Sequence, residues 1–180
     1  MKLRIGVDFD NTLISYADVF HRLALTRGWI GRRCPQSKEA VKSRLLRQDG
    51  DDARWQELQA QAYGRGILEA KAFRGCKDFL RRMLREGHEV FIISHKSERS
   101  HYDGSVRLRR WALKWLKANR FIQDGTAAGI PARNVFFAAT RDEKVRLIGS
   151  LKLDVFVDDL PSVLAHPEFP PRPVRLLFSP

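Results

Sequence analysis

The chain contains no run of about 18 apolar residues, so no transmembrane helix is predicted. Its N-terminal stretch, Met1-Lys2-Leu3-Arg4-Ile5-Gly6-Val7, meets a charged side chain at Asp8. That is short for a signal peptide, which needs roughly 7–15 apolar residues. Cysteine is scarce: Cys34 and Cys76 are the two present, and neither has a partner at C-x-x-C spacing. The usual zinc and redox motifs are thereby excluded, and both thiols are expected to be reduced, in a reducing compartment. No internal repeat or low-complexity block occurs, and no helix-turn-helix, zinc-finger or RNA-binding sheet motif is present. A soluble cytoplasmic protein with no membrane partner is expected.

Acidic residues are also in short supply. There are 21 against 33 basic ones, a formal net charge of +12. Such a surplus attracts anions, whether nucleic acid, acidic headgroups or small phosphorylated metabolites. Solvated Arg-rich helix faces account for the same charge without any partner. Against these shortages, 180 residues with 43 % apolar content suffice for one domain, or one domain with a small insertion.

Five short apolar runs predict strands: Leu3 to Val7, Val90 to Ile93, Val135 to Ala138, Val155 to Val157 and Val174 to Phe178. They lack polar alternation, the mark of parallel strands covered on both faces. Helical spacing separates them. Phe79, Leu80, Met83 and Leu84 make one stripe, ended by Gly87; Leu108, Trp111, Ala112, Trp115 and Leu116 make another, amid Arg107, Arg109, Arg110, Lys114 and Lys117. Trp111 and Trp115 are expected to pack on the sheet. Alternating strands and helices predict an α/β fold with right-handed crossovers. From about Ile14 to Ala72 the rhythm changes to three predicted helices, around Phe20 to Leu25, Val41 to Leu46 and Trp55 to Ala62. Trp29 and Trp55 are read as parts of a small core there, and the polar stretch Ser97 to Ser105, with His101 and Tyr102, as a mobile surface loop.

Asp8 and Asp10 follow the first strand directly. Alternate positions face one side, and in an open α/β sheet ligands sit beyond the carboxyl ends of the strands. Two close carboxylates repel, which raises a pKa or invites a cation. A hard cation such as Mg²⁺ takes oxygen ligands. Asn11-Thr12 can turn the backbone and offer N–H groups to an anion. An EF-hand loop is excluded, because its central glycine and terminal glutamate are missing. The second strand ends in Ser94-His95-Lys96, the fourth in Asp158-Asp159, and between them Thr140-Arg141-Asp142-Glu143-Lys144 opens a helix. Polar groups thus recur at successive strand ends.

With those four motifs in order, the chain from Leu3 to about Val163 resembles the haloacid dehalogenase-like (HAD) superfamily. The resemblance implies a three-layer α/β/α Rossmann-like parallel sheet with a small helical cap. Residues 1–13 and 73–180 would form the catalytic core and 14–72 the cap, with Phe73-Arg74-Gly75-Cys76 as the re-entry. It further implies a Mg²⁺-dependent phosphatase, hydrolysing a phosphate monoester through an aspartyl phosphate on Asp8. Asp10 would be the general acid and base. Asp8, the Asp10 carbonyl, Asp158 and Asp159 would hold Mg²⁺, the division between Asp158 and Asp159 being open. Asn11, Ser94, His95 (by its backbone N–H) and Lys144 would hold the phosphoryl oxygens. Asp at position 10 favours phosphatase chemistry, since dehalogenating members lack that acid and ATPase relatives carry Thr. The expected substrate is a small phosphorylated metabolite, a sugar phosphate or nucleotide. Nucleic-acid ends, a phosphotransferase, or a non-catalytic basic nucleic-acid-binding module are the alternatives.

Overall fold

The computed structural model describes residues 1–49, 52–126 and 129–179. The chain divides into two compact units. The first comprises Met1–Ile14, Ala72–Ser97 and Leu116–Pro180; the second comprises Ser15–Lys71 and Glu98–Trp115. The second unit therefore includes a segment, Glu98–Trp115, that sequence reading leaves in the core.

The first unit is built on a parallel sheet of five strands: β1 (Arg4–Val7), β4 (Glu89–His95), β5 (Val135–Ala138), β6 (Val155–Asp158) and β7 (Val174–Leu177). Their spatial order is β5-β4-β1-β6-β7. The short strands β2 (Ile14–Ser15) and β3 (Lys71–Ala72) pair with each other where the chain leaves this unit and returns. Register fixes Ile5 between Val90 and Val155, and Val7 between Ile92 and Val157. Helices α4 (Cys76–Arg85), α6 (Arg141–Ser150) and α7 (Pro161–Leu164) flank the sheet, giving the three-layer α/β/α Rossmann-like arrangement. From β1 the chain steps outward through β4 and β5, then returns to place β6 on the other side of β1. That reversal is the topological switch point, where the crevice of such a sheet opens.

Beneath α6 and α7 the core joins Phe91, Ile93, Val145, Ile148, Leu153 and Phe156. Burying each such side chain contributes about 1.5–3 kcal/mol. Gly6 makes this packing possible. A Cβ there would lie 2.4 Å from Leu153 Cδ1 and 2.7 Å from Phe156 Cδ2. β7 departs from expectation. It is a strand, but not a covered one: Val174, Leu176 and Leu177 are 58, 45 and 56 % exposed. It lies at the edge of the sheet, with no strand paired on its outer side among the described residues, and the neighbouring α7 leaves these apolar side chains exposed.

The second unit is helical: α1 (Ala17–Thr26), α2 (Lys38–Asp49), α3 (Ala53–Tyr63), a 3₁₀ turn (Arg65–Glu69) and most of α5 (Leu108–Ala118). α1 buries Val19, Phe20 and Ala24 on one face, and Gly28 just beyond it takes a positive φ of 68°. The centre is aromatic. Phe20 stacks on Trp55 at 5.1 Å, and Tyr63 meets Tyr16 and Phe20 edge-on at 4.9 and 5.5 Å. Trp115 belongs to this core rather than to the sheet: its indole N–H donates to the Ala70 carbonyl at 2.9 Å. A fully buried indole needs such an acceptor, and the helical unit supplies it. The stretch read as a mobile loop is a built turn. Ser100 Oγ accepts the Tyr102 and Asp103 N–H groups, and Arg99 donates to the Gly104 carbonyl. Among the described residues no helix is long and apolar enough to cross a membrane.

Candidate active site

The candidate site residues Asp8, Asp10, Asn11, Ser94, His95, Lys144, Asp158 and Asp159 all lie in the first unit, at or just beyond the carboxyl ends of β1, β4 and β6 and at the start of α6. Asp8 continues the pairing of β1 with β6 through its N–H, which donates to the Val157 carbonyl at 2.9 Å. After Asp10 the chain turns sharply. Asn11 takes φ 59°, a left-handed conformation that Asn tolerates better than most residues. The Leu13 and Ile14 N–H groups fold back to the Phe9 carbonyl, and the Asn11 N–H donates to Ile14 O at 2.9 Å. Asn11 thus shapes the turn, its own N–H held within it. Thr12, buried, aims its hydroxyl at Asp8 Oδ2 from 3.5 Å.

Lys144 arrives from the opposite direction, and its placement has a local cause. Thr140 caps α6 by accepting the Glu143 N–H at 3.1 Å, and Glu143 Oε2 accepts the Ala139 N–H at 2.6 Å. This is a capping box shifted by one residue. It fixes the first turn of α6, from which Lys144 projects into the site. Its ammonium donates to Asp8 Oδ1 and to Asp158 Oδ2, each at 2.5 Å. All three side chains are almost wholly buried. The remaining oxygen of Asp158 accepts the Leu160 N–H at 2.9 Å, so Asp158 is held from two sides.

Asp10 belongs to a second pair. Lys96 Nζ lies 3.0 Å from its Oδ1 and 2.8 Å from its Oδ2, and Ser94 Oγ donates to Oδ2 at 3.4 Å. Ser94 and Lys96 are two apart at the end of β4 and so face the same way. His95, between them, faces elsewhere: its ring meets the Ala139 carbonyl at 3.0 Å. Sequence reading assigns no role to the buried Lys96, and credits Thr12 with its backbone rather than with the hydroxyl that meets Asp8. The period-two alternation through Ser94 and Lys96 was the signal for the first.

Electrostatics set Asp8 apart. Burial raises its pKa; the Lys144 ammonium opposes that, and Asp158 and Asp10 reinforce it, leaving the carboxyl at about 7 instead of 3.8. Burial works against the charge on Lys144, but the carboxylates of Asp8 and Asp158 outweigh it and hold its pKa above the ordinary lysine value. Asp8, Asp158 and Asp159 also offer carboxylate oxygens that all lie within 4.8 Å of one another. Asp8 and Asp158 share the Lys144 ammonium, while Lys96 pairs with Asp10. The donor set is all oxygen, which fits a hard divalent cation.

No protein-family model matches this sequence, and no curated protein does. Among solved structures, the chain is similar to a hydrolase from Streptococcus pneumoniae TIGR4, at 14 % identity and a TM-score of 0.58, covering 99 % of this chain and 94 % of that one. It is also similar to a HAD-superfamily hydrolase from Ehrlichia chaffeensis, at 14 % identity and a TM-score of 0.45, covering 91 % and 82 %. The chain thus shares the fold of the Streptococcus pneumoniae hydrolase, with Asp8, Asp10, Ser94, Lys144 and Asp158 together at the carboxyl ends of its strands and the start of α6.

Proposed function

We propose that the chain is a hydrolase of phosphate monoesters that works through an aspartyl phosphate on Asp8 and needs a divalent cation, Mg²⁺ by its preference for oxygen ligands. The observation that carries this reading is the division of the site into two lysine–carboxylate sets. One lysine clamps Asp8 to Asp158, and another holds Asp10 apart. Two carboxylates in different settings suit two different roles.

In this reading an Asp8 oxygen attacks phosphorus, and the bond from phosphorus to the ester oxygen breaks. Asp10 gives a proton to that leaving oxygen. It then takes one from a water whose oxygen attacks the aspartyl phosphate, breaking the bond from Asp8 to phosphorus and releasing inorganic phosphate. Ser94, Lys144 and the backbone N–H of His95 would hold the phosphoryl oxygens, and Asn11 would shape the loop beside them. Asp8, Asp158, Asp159 and the Asp10 carbonyl would hold the cation, which when bound would supply charge stabilisation for the phosphoryl group. Residues 14–72, with Glu98–Trp115, would act as the selective cap.

The test is Asp8→Asn with a generic aryl phosphate and Mg²⁺. Turnover should vanish while circular dichroism stays unchanged; retained turnover refutes the nucleophile. A screen of sugar phosphates, nucleotides and phosphorylated oligonucleotide ends, with and without a competing alcohol acceptor, identifies the substrate and separates hydrolysis from transfer.

A further inference from the structure

The N-terminal half of α5 carries a group of cations with no assigned work. Ser105, Arg107, Arg110, Trp111 and Lys114 line a concavity of about 380 Å³, entirely within the helical unit. Arg107, Arg110 and Lys114 are exposed, and among the described residues none of the three has a carboxylate partner. Their neighbours do: Arg109 pairs with Glu98, Arg22 with Glu69 and Arg27 with Glu57. Uncompensated cations sharing a hollow raise the local potential and concentrate anions.

Two further features narrow the anion. From Arg107 to Lys114 is seven positions, about 10 Å along a helix at 1.5 Å per residue. A row that long, with a cation at each end and one between, outreaches a single phosphate group and suits a string of them. Trp111 sits in the middle of the row. Lys114 Nζ lies 4.9 Å from its ring centre, and the indole also lines a second concavity of about 460 Å³, whose wall mixes Leu23, Ala60 and Val106 with Glu57, Glu69 and Asp103. An aromatic plate flanked by backbone-neutralising cations is how single strands are held without sequence readout.

We infer that this face binds single-stranded nucleic acid, with Arg107, Arg110 and Lys114 on successive phosphates and Trp111 against a base. The site is separate from Asp8 and Asp10 and stands whether or not those residues hydrolyse anything. The whole chain is therefore tested for binding in EDTA, by fluorescence anisotropy of a labelled oligothymidylate of about 12 nucleotides. Affinity should fall with salt, and the triple change Arg107→Gln, Arg110→Gln and Lys114→Gln should flatten the log–log salt slope by about 2, at roughly 0.7 per phosphate. Trp111→Leu, with its fold checked by circular dichroism, should weaken the oligonucleotide about 5–100-fold and leave inorganic polyphosphate binding unchanged. The inference is overturned if the oligonucleotide does not bind at low salt. It also fails if neutralising Arg32, Arg33 and Arg47 flattens the slope as much, or if Trp111→Leu weakens both polyanions alike. AMP binding as tightly as the oligonucleotide would replace the strand by a single nucleotide and equally overturn it.

Discussion

Asp8 carries an electrostatic cost that the fold bears in advance of any ligand. Its carboxyl titrates at about 7 in the folded chain against an ordinary 3.8. A raised carboxyl pKa means that protonation favours the folded state. The benefit is complete below 3.8 and is lost as pH rises towards 7. Metal-free protein should therefore be stabilised by Asp8→Asn, with the gain growing from pH 4 to 7 and levelling above, on the order of 1–3 kcal/mol. Thermal melts of both proteins in EDTA across that range check this; a pH-independent difference argues against it. Adding Mg²⁺ should raise the melting temperature of the parent more than that of the variant, because the cation repays the same repulsion. Lys96 offers a second prediction. With its ammonium 2.8 Å from Asp10, Lys96→Gln should lower kcat about 10–100-fold with little change in KM, since misplacing a catalytic acid weakens the transition state more than the ground state. Steady-state kinetics on an aryl phosphate decide it, and an unaltered kcat removes Lys96 from the site.

At the scale of elements, the catalytic reading depends on how α6 begins. Thr140 and Glu143 fix the first turn from which Lys144 reaches Asp8 and Asp158. Thr140→Ala should cost about 1 kcal/mol of stability and also lower activity, through a less constrained Lys144. Restoring the cap with Ser should recover both. Gly6→Ala in β1 should cost about 1–3 kcal/mol by overpacking against Leu153 and Phe156; a melting temperature within a degree of the parent contradicts that packing. These elements were largely legible in the sequence. Apolar runs without alternation marked the strands, and polar residues at their ends marked Asp8, Ser94, Lys144 and Asp158. Lys96 was harder, because one lysine among many basic residues declares itself only when the strand end shows which way it faces. Trp115 was misplaced for a related reason. An apolar stripe shows that a helix is buried but not against what. β7 reads as a core strand because Val and Leu look the same at a sheet's edge as at its centre.

Across the whole molecule, charge and edge exposure matter most. With +12 formal charge, any phosphorylated substrate should be captured faster at low ionic strength, so kcat/KM should fall with salt while kcat changes little. The open apolar edge of β7 invites strand-to-strand association. Leu176→Lys should reduce light scattering at high protein concentration without changing activity, as Leu176 is 45 % exposed.

The pairing of β1 also has a consequence in time. Of the five strands it is made before the others, and it is the middle strand of the finished sheet. Ile5 has Val90 for one neighbour and Val155 for the other. At about 5–20 residues per second of synthesis, the second neighbour follows the first strand by roughly 8–30 s. Until then the central strand has an empty flank, and Asp8 is produced long before Lys144 and Asp158. The nascent chain thus keeps the seam between β1 and β6 open while the residues between them are made, so yield should improve when elongation outpaces aggregation or a chaperone shields β1.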